Sequence, residues 1–172
     1  TDSGRAIRFS TTAVRVFKGR KSTGVRGIKL LGNDKVVSMS IIRHFEASPD
    51  ERSAYLKMRR AVAGMSDDEV SSQEEEEEIN ANATISPEKY AEMSAAENLI
   101  LTITSNGSGK LSSSHDYPVR GRGGMGVSAI DRKMRGGLLV ASFPVEIEDQ
   151  IMLATSNGQS IRVPVEGISF RS

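Results

Sequence analysis

The chain has 172 residues, of which 37% are hydrophobic and 5% aromatic, and it contains no Trp and no Cys. The lack of Cys excludes disulfides and thiolate metal sites, and no apolar run approaches the ~20 residues that span a bilayer. The formal net charge of +1 hides a segregation, since residues 1–42 carry +7, residues 43–97 carry −8 and residues 98–172 carry +2.

The N-terminal part of the chain is predicted to be a β unit covering residues 1–42. It opens on the turn Thr1-Asp2-Ser3-Gly4, which has neither the basic nor the apolar region of a signal peptide, so we expect the sequence to start within a domain. The run Val36 to Ile42 is rich in β-branched residues and has the length of a strand.

Residues 43–97 are predicted to form an acidic surface insertion rather than an independent domain. Ser48-Pro49-Asp50-Glu51 combines a cap residue, a proline and two acids, the pattern of a helix start. The stretch Arg52 to Ala63 lacks Gly and Pro, and Gly64 is a natural stop. We therefore expect a helix ending at Gly64.

A second short helix is predicted from Ser86-Pro87-Glu88 to about Asn98. Between the two helices, residues 66–84 include the acidic run Glu74 to Glu78 and have little to bury. That stretch is expected to be disordered or a solvated loop.

The C-terminal part is predicted to be β structure, with strands at Leu99–Thr104, Gly137–Ser142 and Ile151–Thr155. Asn106-Gly107 and Asn157-Gly158 follow two of these runs. Because Asn-Gly suits the two left-handed positions of a type I′ turn, both pairs predict tight hairpins.

The strongest pattern is an internal repeat. The octapeptide from Ser156 to Val163 echoes that from Asp2 to Phe9, and the sequence from Ser105 to Leu111 is a looser copy. The turn glycines Gly107 and Gly158 lie 51 residues apart, and Gly4 precedes Gly107 by 103, one such spacing plus an insertion. The pattern predicts further β units at 98–149 and 150–172, and a propeller-like array.

Two glycine-rich basic loops occupy similar places in the first two units. Arg120-Gly121-Arg122-Gly123-Gly124-Met125-Gly126 offers forked cationic donors on a backbone that can approach another surface, and the segment Val16–Gly24 is its counterpart. Each loop alone is as well explained by a solvated turn. Arg8 and Arg162 follow equivalent turns, with Lys110 nearby, and such repeated cations would form a stripe along a polyanion.

No constellation for catalysis or metal binding is evident in the sequence. His44 and His115 are far apart and are expected to be ordinary surface or loop residues, and Tyr117 is predicted to pack beside a turn. The pattern favours a binding module.

Three stretches resemble blades of the C-terminal DNA-wrapping domain of DNA gyrase A. They are Gly4–Phe9 with Ser22–Leu30 and Val36–Met39, then Leu99–Lys110, then Gln150–Thr155 with Val163–Ser169. The resemblance implies an all-β fold, a β-pinwheel or propeller-like array of four-stranded antiparallel blades. This chain would supply two blades and part of a third of one C-terminal domain, and the acidic insertion lies outside the minimal blade.

The loop at 120–126 resembles the GyrA-box of that family, which reads Gln-Arg-Arg-Gly-Gly-Lys-Gly. Arg122, Gly123, Gly124 and Gly126 match it, whereas Arg120, Gly121 and Met125 replace Gln, Arg and Lys. This loop is similar to the degenerate version of later blades, so the intact box is expected before Thr1.

The resemblance implies a non-catalytic module that wraps duplex DNA around a basic rim and so supports ATP-dependent negative supercoiling. Catalytic residues, ATP and Mg belong to other parts of the holoenzyme, in which DNA gyrase B and a second copy of DNA gyrase A are the partners. No metal, no cofactor and no membrane contact is expected here, and the location is the bacterial cytoplasm. The alternatives are the C-terminal domain of the related topoisomerase IV and a propeller-like protein-interaction scaffold. The expected phosphate contacts are Arg15, Lys18, Arg20, Lys21, Arg26, Lys110, Arg120, Arg122 and Arg162.

Overall fold

The structure is a computed structural model that describes residues 1–64, 83–130 and 137–171. Short antiparallel strands dominate it, with two α helices between the first and second strands, which confirms the predicted all-β class with a partly helical insertion. The strands are β1 (Arg5–Ala6), β2 (Leu99–Thr104), β3 (Gly109–Ser113), β4 (Val127–Ser128), β5 (Leu139–Val145), β6 (Gln150–Ala154) and β7 (Ser160–Pro164), and the helices are α1 (Pro49–Val62) and α2 (Pro87–Ala96).

The largest sheet has three strands in the order β3-β2-β5, all antiparallel. Its central strand β2 is buried along almost its whole length, because both faces of the sheet are covered. Leu101 and Ile103 pack toward the third unit with Val165, whereas Ile100 packs toward the first unit with Leu139. The near-continuous apolar run of β2 is therefore explained by two hydrophobic clusters, one on each face.

The predicted hairpins are present, but their turns are longer than predicted. Ile103 pairs with Gly109 across the turn, and the backbone N–H of Gly107 donates to the carbonyl of Thr104 over 3.0 Å. That bond makes Ser105 and Asn106 the central residues of the turn, and Gly107 follows with a φ of 80°. The prediction of a two-residue type I′ turn is wrong, because the loop has three residues with glycine in the left-handed position.

The repeat seen in the sequence recurs as a repeat of hydrogen bonds. Gly4, Gly107 and Gly158 each donate from the backbone N–H to the residue three positions earlier, in every case over 3.0 Å. A 3₁₀ turn follows at Thr11–Ala13, Ser114–Asp116 and Val165–Gly167, at spacings of 103 and 51 residues. Each repeat therefore builds the same local structure.

Neighbouring units are joined by a contact that also repeats. Arg8 forms a parallel bridge with Val119, and Leu111 forms one with Phe170. Leu111 lies 103 residues after Arg8, and Phe170 lies 51 residues after Val119. The two bridges therefore occupy the same place in the repeat. The strand pair β1–β4 further ties the first unit to the second, while β6 and β7 form a two-stranded hairpin.

The predicted strand Val36–Ile42 is not a strand in the structure. Its place in the repeat is that of β5, since the N–H of Asp2 donates to the carbonyl of Lys35 just as that of Ser105 donates to the carbonyl of Leu138. Strand β5 pairs with β2, which precedes the turn at Gly107. Within the described residues, no strand pairs with residues 36–42 as β2 pairs with β5, and the prediction is wrong because a strand needs such a partner.

Both predicted helices are confirmed. The Ser48 side chain accepts from the N–H of Glu51, whose carboxylate accepts from the N–H of Ser48, a complete capping box at the start of α1. Gly64 follows the helix with a φ of 74°, a conformation that favours glycine. Helix α2 is capped by Ser86 and ends at Ala96, slightly earlier than predicted. The predicted disorder of residues 66–84 falls almost entirely outside the described residues.

The helices pack on the second unit through a buried histidine. His115 is 4% exposed, its Nε2 lies 3.0 Å from the carbonyl oxygen of Met93, and its ring meets that of Tyr55 edge-on at 5.0 Å. The prediction of a surface or loop histidine is therefore wrong for His115, because helices α1 and α2 cover the 3₁₀ turn that carries it. Tyr117 packs beside that turn as predicted, 9% exposed.

Candidate nucleic-acid interface

The predicted DNA-contacting residues occupy four places in the fold. Arg15, Lys18, Arg20, Lys21 and Arg26 are exposed and lie between the first 3₁₀ turn and Gly27, in a segment that forms no helix and no strand. The other four lie in the second and third units: Arg120 and Arg122 in the GyrA-box-like loop, Lys110 on β3 and Arg162 on β7.

The first basic loop, defined as residues 14–29, is held against the GyrA-box-like loop by backbone hydrogen bonds. The N–H of Gly123 donates to the carbonyl of Gly27 over 2.7 Å, and the N–H of Lys29 donates to the carbonyl of Gly124 over 2.8 Å. Two loops about 100 residues apart in the sequence thus form one continuous surface. Seven of the nine predicted residues belong to these loops, whereas Lys110 and Arg162 lie on strands outside them.

Glycine makes this close approach possible at the end of the GyrA-box-like loop. Gly126 has a φ of 68°, and a β-carbon placed on it would overlap the carbonyl oxygen of Ala6 and lie 3.2 Å from the β-carbon of Ile7. The neighbouring Gly124 has an ordinary φ, and its nearest atoms would lie 3.8 Å and 3.9 Å away. Gly126 must be glycine because it lies against the backbone of β1. The sequence of the loop alone does not distinguish it from the other glycines that match the box.

The cations of the first loop face solvent. Lys18, Arg20 and Lys21 are exposed on either side of a turn in which the N–H of Ser22 donates to the carbonyl of Gly19. Within the part of the chain that the structure describes, none of these three cations forms an ion pair. The guanidinium of Arg15 lies 4.5 Å from the centre of the Phe17 ring, which keeps its charge beside the same loop.

Arg122 differs from those cations because two of its five N–H donors already bind backbone carbonyls within the protein. Its Nε donates to the carbonyl of Ala13 over 3.2 Å, and its Nη1 donates to the carbonyl of Arg26 over 2.5 Å. These two donors face the first basic loop, and a phosphate contact through the other N–H groups of Arg122 stays a prediction.

Arg8 does not form the predicted stripe with Arg162. Its guanidinium is partly buried and donates to the carbonyls of Ser114, Tyr117 and Arg43. Burial, and then the nearby positive charge of Arg52, lowers its pKa. Arg162, at the equivalent place in the third unit, is exposed on β7. The interpretation of Arg8 as a rim cation is wrong, because its donors join neighbouring parts of the fold.

The described ranges offer no metal site and no membrane-spanning helix. Among residues 1–64, 83–130 and 137–171, no three His, Asp or Glu side chains come together in a way that could hold a metal ion. None of the helices in those ranges is both long and apolar enough to cross a bilayer.

Comparison with known proteins gives one consistent result. A family model described as the DNA gyrase C-terminal domain, beta-propeller, matches residues 1–43, 98–146 and 149–172, which is well over half of the chain. The matched ranges leave out the helical and acidic insertion.

Relatives align through the insertion as well. The DNA gyrase A protein of Granulibacter bethesdensis is 45% identical over 175 residues, covering 96% of this chain and 19% of that protein. The DNA gyrase A protein of Rickettsia bellii is 38% identical over 168 residues, and that of Haemophilus influenzae is 35% identical over 171, covering 98% and 99% of this chain and 18% and 16% of theirs. The chain thus spans about a fifth of the length of the relatives it matches.

One solved structure, titled as the DNA gyrase A C-terminal domain, is similar over part of the chain. It is 24% identical, with a TM-score of 0.40, and the match covers 44% of this chain and 26% of the solved one.

Proposed function

The chain belongs to the DNA gyrase C-terminal domain family, and from this premise we propose that it is a non-catalytic module that binds and bends duplex DNA along its paired basic loops. The observation that carries the proposal is the junction of those loops, which gathers exposed cations from two repeats on one surface. A surface with exposed cations from successive repeats suits a polyanion, because contacts to phosphate need regularly placed cations and do not depend on particular bases.

The stiffness of duplex DNA explains why a surface that bends it needs several cations. Smooth bending of 20–30 base pairs by 40–90° costs roughly 1–6 kcal/mol. Release of counterions from neutralised phosphates must offset this cost, and the affinity then falls with salt by about 0.9 logarithmic units per phosphate. Sequence preference is expected to be weak and to arise mainly from the deformability of the DNA.

The part played in the whole protein follows as a further proposal from the family. The module would present a bent DNA segment to the remainder of a DNA gyrase A polypeptide, in a cytoplasmic assembly with a second copy of that polypeptide and with DNA gyrase B. ATP-driven strand passage would then introduce negative supercoils. No residue of this chain is proposed to take part in cleavage or in ATP hydrolysis, and no cofactor is proposed to bind here.

A titration of duplex DNA against salt tests the proposal. We expect binding at low salt whose affinity falls steeply as salt rises. Lys21→Ala should lower the slope of log K against log salt by about 0.9, because it removes one phosphate contact. Lys57→Ala removes another exposed lysine, on helix α1, and should leave the slope unchanged.

The outcomes separate DNA binding from the protein scaffold. Absence of any mobility shift at low salt would contradict DNA binding and favour a module that binds protein. Equal effects of Lys21→Ala and Lys57→Ala would show that the contacts are spread over the surface and that the paired loops are not the binding site.

A further inference from the structure

We infer that Arg122 is a positioning residue, which fixes the shape of the first basic loop from the neighbouring unit instead of contacting phosphate itself. The part of this inference that concerns DNA rests on the proposed function. The part that concerns the loop rests on hydrogen bonds and can be tested without DNA.

The two carbonyls that Arg122 holds are the two ends of one segment. Ala13 is the last residue of the first 3₁₀ turn, and Arg26 lies just before the backbone pairing at Gly27. One guanidinium therefore joins the beginning and the end of the stretch that carries all five exposed cations of the first loop. Holding the ends of a loop reduces the number of conformations available to everything between them.

The segment between those ends has little structure of its own. In residues 14–26 the structure describes neither helix nor strand, and the backbone hydrogen bond formed inside the segment is that from Ser22 to Gly19. Residues 14–16 and 18–26 are exposed, and the valine at position 16 is 92% exposed, so apolar packing contributes little to holding the segment. The position of its cations must then depend on its anchored ends.

The chemistry of the contact leaves the charge of Arg122 in place. A carbonyl oxygen is a neutral acceptor, so the two bonds use two donors of the guanidinium without cancelling its positive charge. A planar group with several donors in a fixed fork is well suited to bridge two acceptors, which a single ammonium cannot do with the same geometry. The arrangement is therefore specific to arginine.

Arg8 makes the same kind of contact elsewhere between the same two units. Its guanidinium, from the first unit, donates to carbonyls of Ser114 and Tyr117 in the second, and to that of Arg43 at the start of the insertion. In each unit an arginine thus donates to backbone carbonyls of the other unit. Because the same kind of contact occurs in both directions, the orientation of Arg122 toward these carbonyls is better explained by a positioning role than by chance.

The first test measures amide hydrogen exchange in the full-length protein without DNA. Arg122→Ala should accelerate exchange of the amides of residues 14–26 about tenfold, since two charge-assisted hydrogen bonds are lost. Arg122→Lys, which keeps the charge but not the fork, should accelerate the same amides. Exchange in the β2 strand should stay unchanged in both variants, which excludes general unfolding. If the amides of residues 14–26 exchange in Arg122→Ala at the same rate as in the wild-type protein, the inference is overturned.

The second test measures DNA affinity against salt with variants matched for charge. Arg20→Ala removes an exposed cation and should lower the slope by about 0.9. Arg122→Gln removes one charge but keeps an amide donor for a carbonyl. The slope of log K against log salt should fall by less than half of the decrease expected for Arg20→Ala. A slope reduced equally in both variants would overturn the positioning role. Failure of the wild-type protein to bind DNA would count against the proposed function, and the exchange measurement would still decide the role of Arg122.

Discussion

The first unit and the second unit have the same turn, the same 3₁₀ turn and the same hydrogen bond at the start of the β5 position, yet only the second builds a regular sheet. In the second unit, β5 lies beside β2 and its first residue, Leu139, is 2% exposed. In the first unit the residue 103 positions earlier, Val36, is 56% exposed. Local sequence is thus sufficient for the turns but not for the strand.

The difference shows what a strand needs in this repeat. The run Val36–Ile42 has four β-branched residues against two in β5, and the Oγ of Ser38 donates to the carbonyl of Ser142 at the open edge of β5. Among residues 1–64, 83–130 and 137–171, this run has no paired strand equivalent to β2. Strand formation in a propeller-like repeat is therefore a property of neighbouring units, as expected when β propensity mainly reports packing.

The largest effect expected from this comparison is on stability. In the 172-residue chain, Leu139→Ala should lower the free energy of unfolding by about 3 kcal/mol, because it leaves a cavity beside Ile100 and Tyr117. Val36→Ala changes the equivalent position and should cost less than about 0.5 kcal/mol. Denaturant unfolding measures both. Equal costs would show that the first unit is as well covered as the second and would break the comparison.

A smaller effect is expected at the junction of the two units. Gly126→Ala should cost about 2–3 kcal/mol, since an alanine there needs a positive φ and meets the backbone of Ala6. Gly124→Ala, two residues earlier in the same loop, has room for a methyl group and should change the unfolding free energy by less than about 0.5 kcal/mol. A result in which both variants are tolerated would mean that the loop can withdraw from β1 without cost.

Features that depend on nearby residues were predictable from the sequence. The helix starts at Ser48 and Ser86, the helix end at Gly64 and the hairpins at Gly107 and Gly158 follow from cap and turn residues. The repeat followed from matching short motifs. These signals work because the interactions behind them span only a few residues.

Features that depend on contacts between distant residues were not predictable. Arg8 and Arg122 carry the same charge as Arg20, and only their partners 35 to 109 residues away separate a guanidinium bonded to carbonyls from one facing solvent. The burial of His115 likewise depends on the return of helices α1 and α2 onto the second unit. The candidate site was therefore predictable as a set of loops, but the roles of individual arginines within it were not.

The smallest effect expected is a pH dependence of the contact between the helices and the 3₁₀ turn of the second unit, whose counterpart in the first unit, Thr11–Ala13, is exposed. Burial lowers the pKa of His115; the Met93 carbonyl and Glu97 oppose this shift, and Arg8 and Arg52 add to it. Because the pKa is lower in the folded protein, the unfolded chain binds more protons as the pH falls. The contribution of His115 to stability is thus complete above a pH of about 6.5 and declines below it.

The neighbouring Asp116 acts in the opposite direction, so the effect of His115 must be measured as a difference. Burial raises the pKa of Asp116 to about 6, which favours the folded protein at low pH. His115→Gln keeps a donor for the carbonyl of Met93 and leaves Asp116 in place, so the contribution of Asp116 is common to both proteins. The stability advantage of the wild-type protein over His115→Gln should shrink as the pH falls from about 7.5 to about 5.5, by at most about 1.4 kcal/mol per pH unit. A difference that is independent of pH would mean that His115 titrates alike in the folded and unfolded chains, and that the helices do not shield it from water.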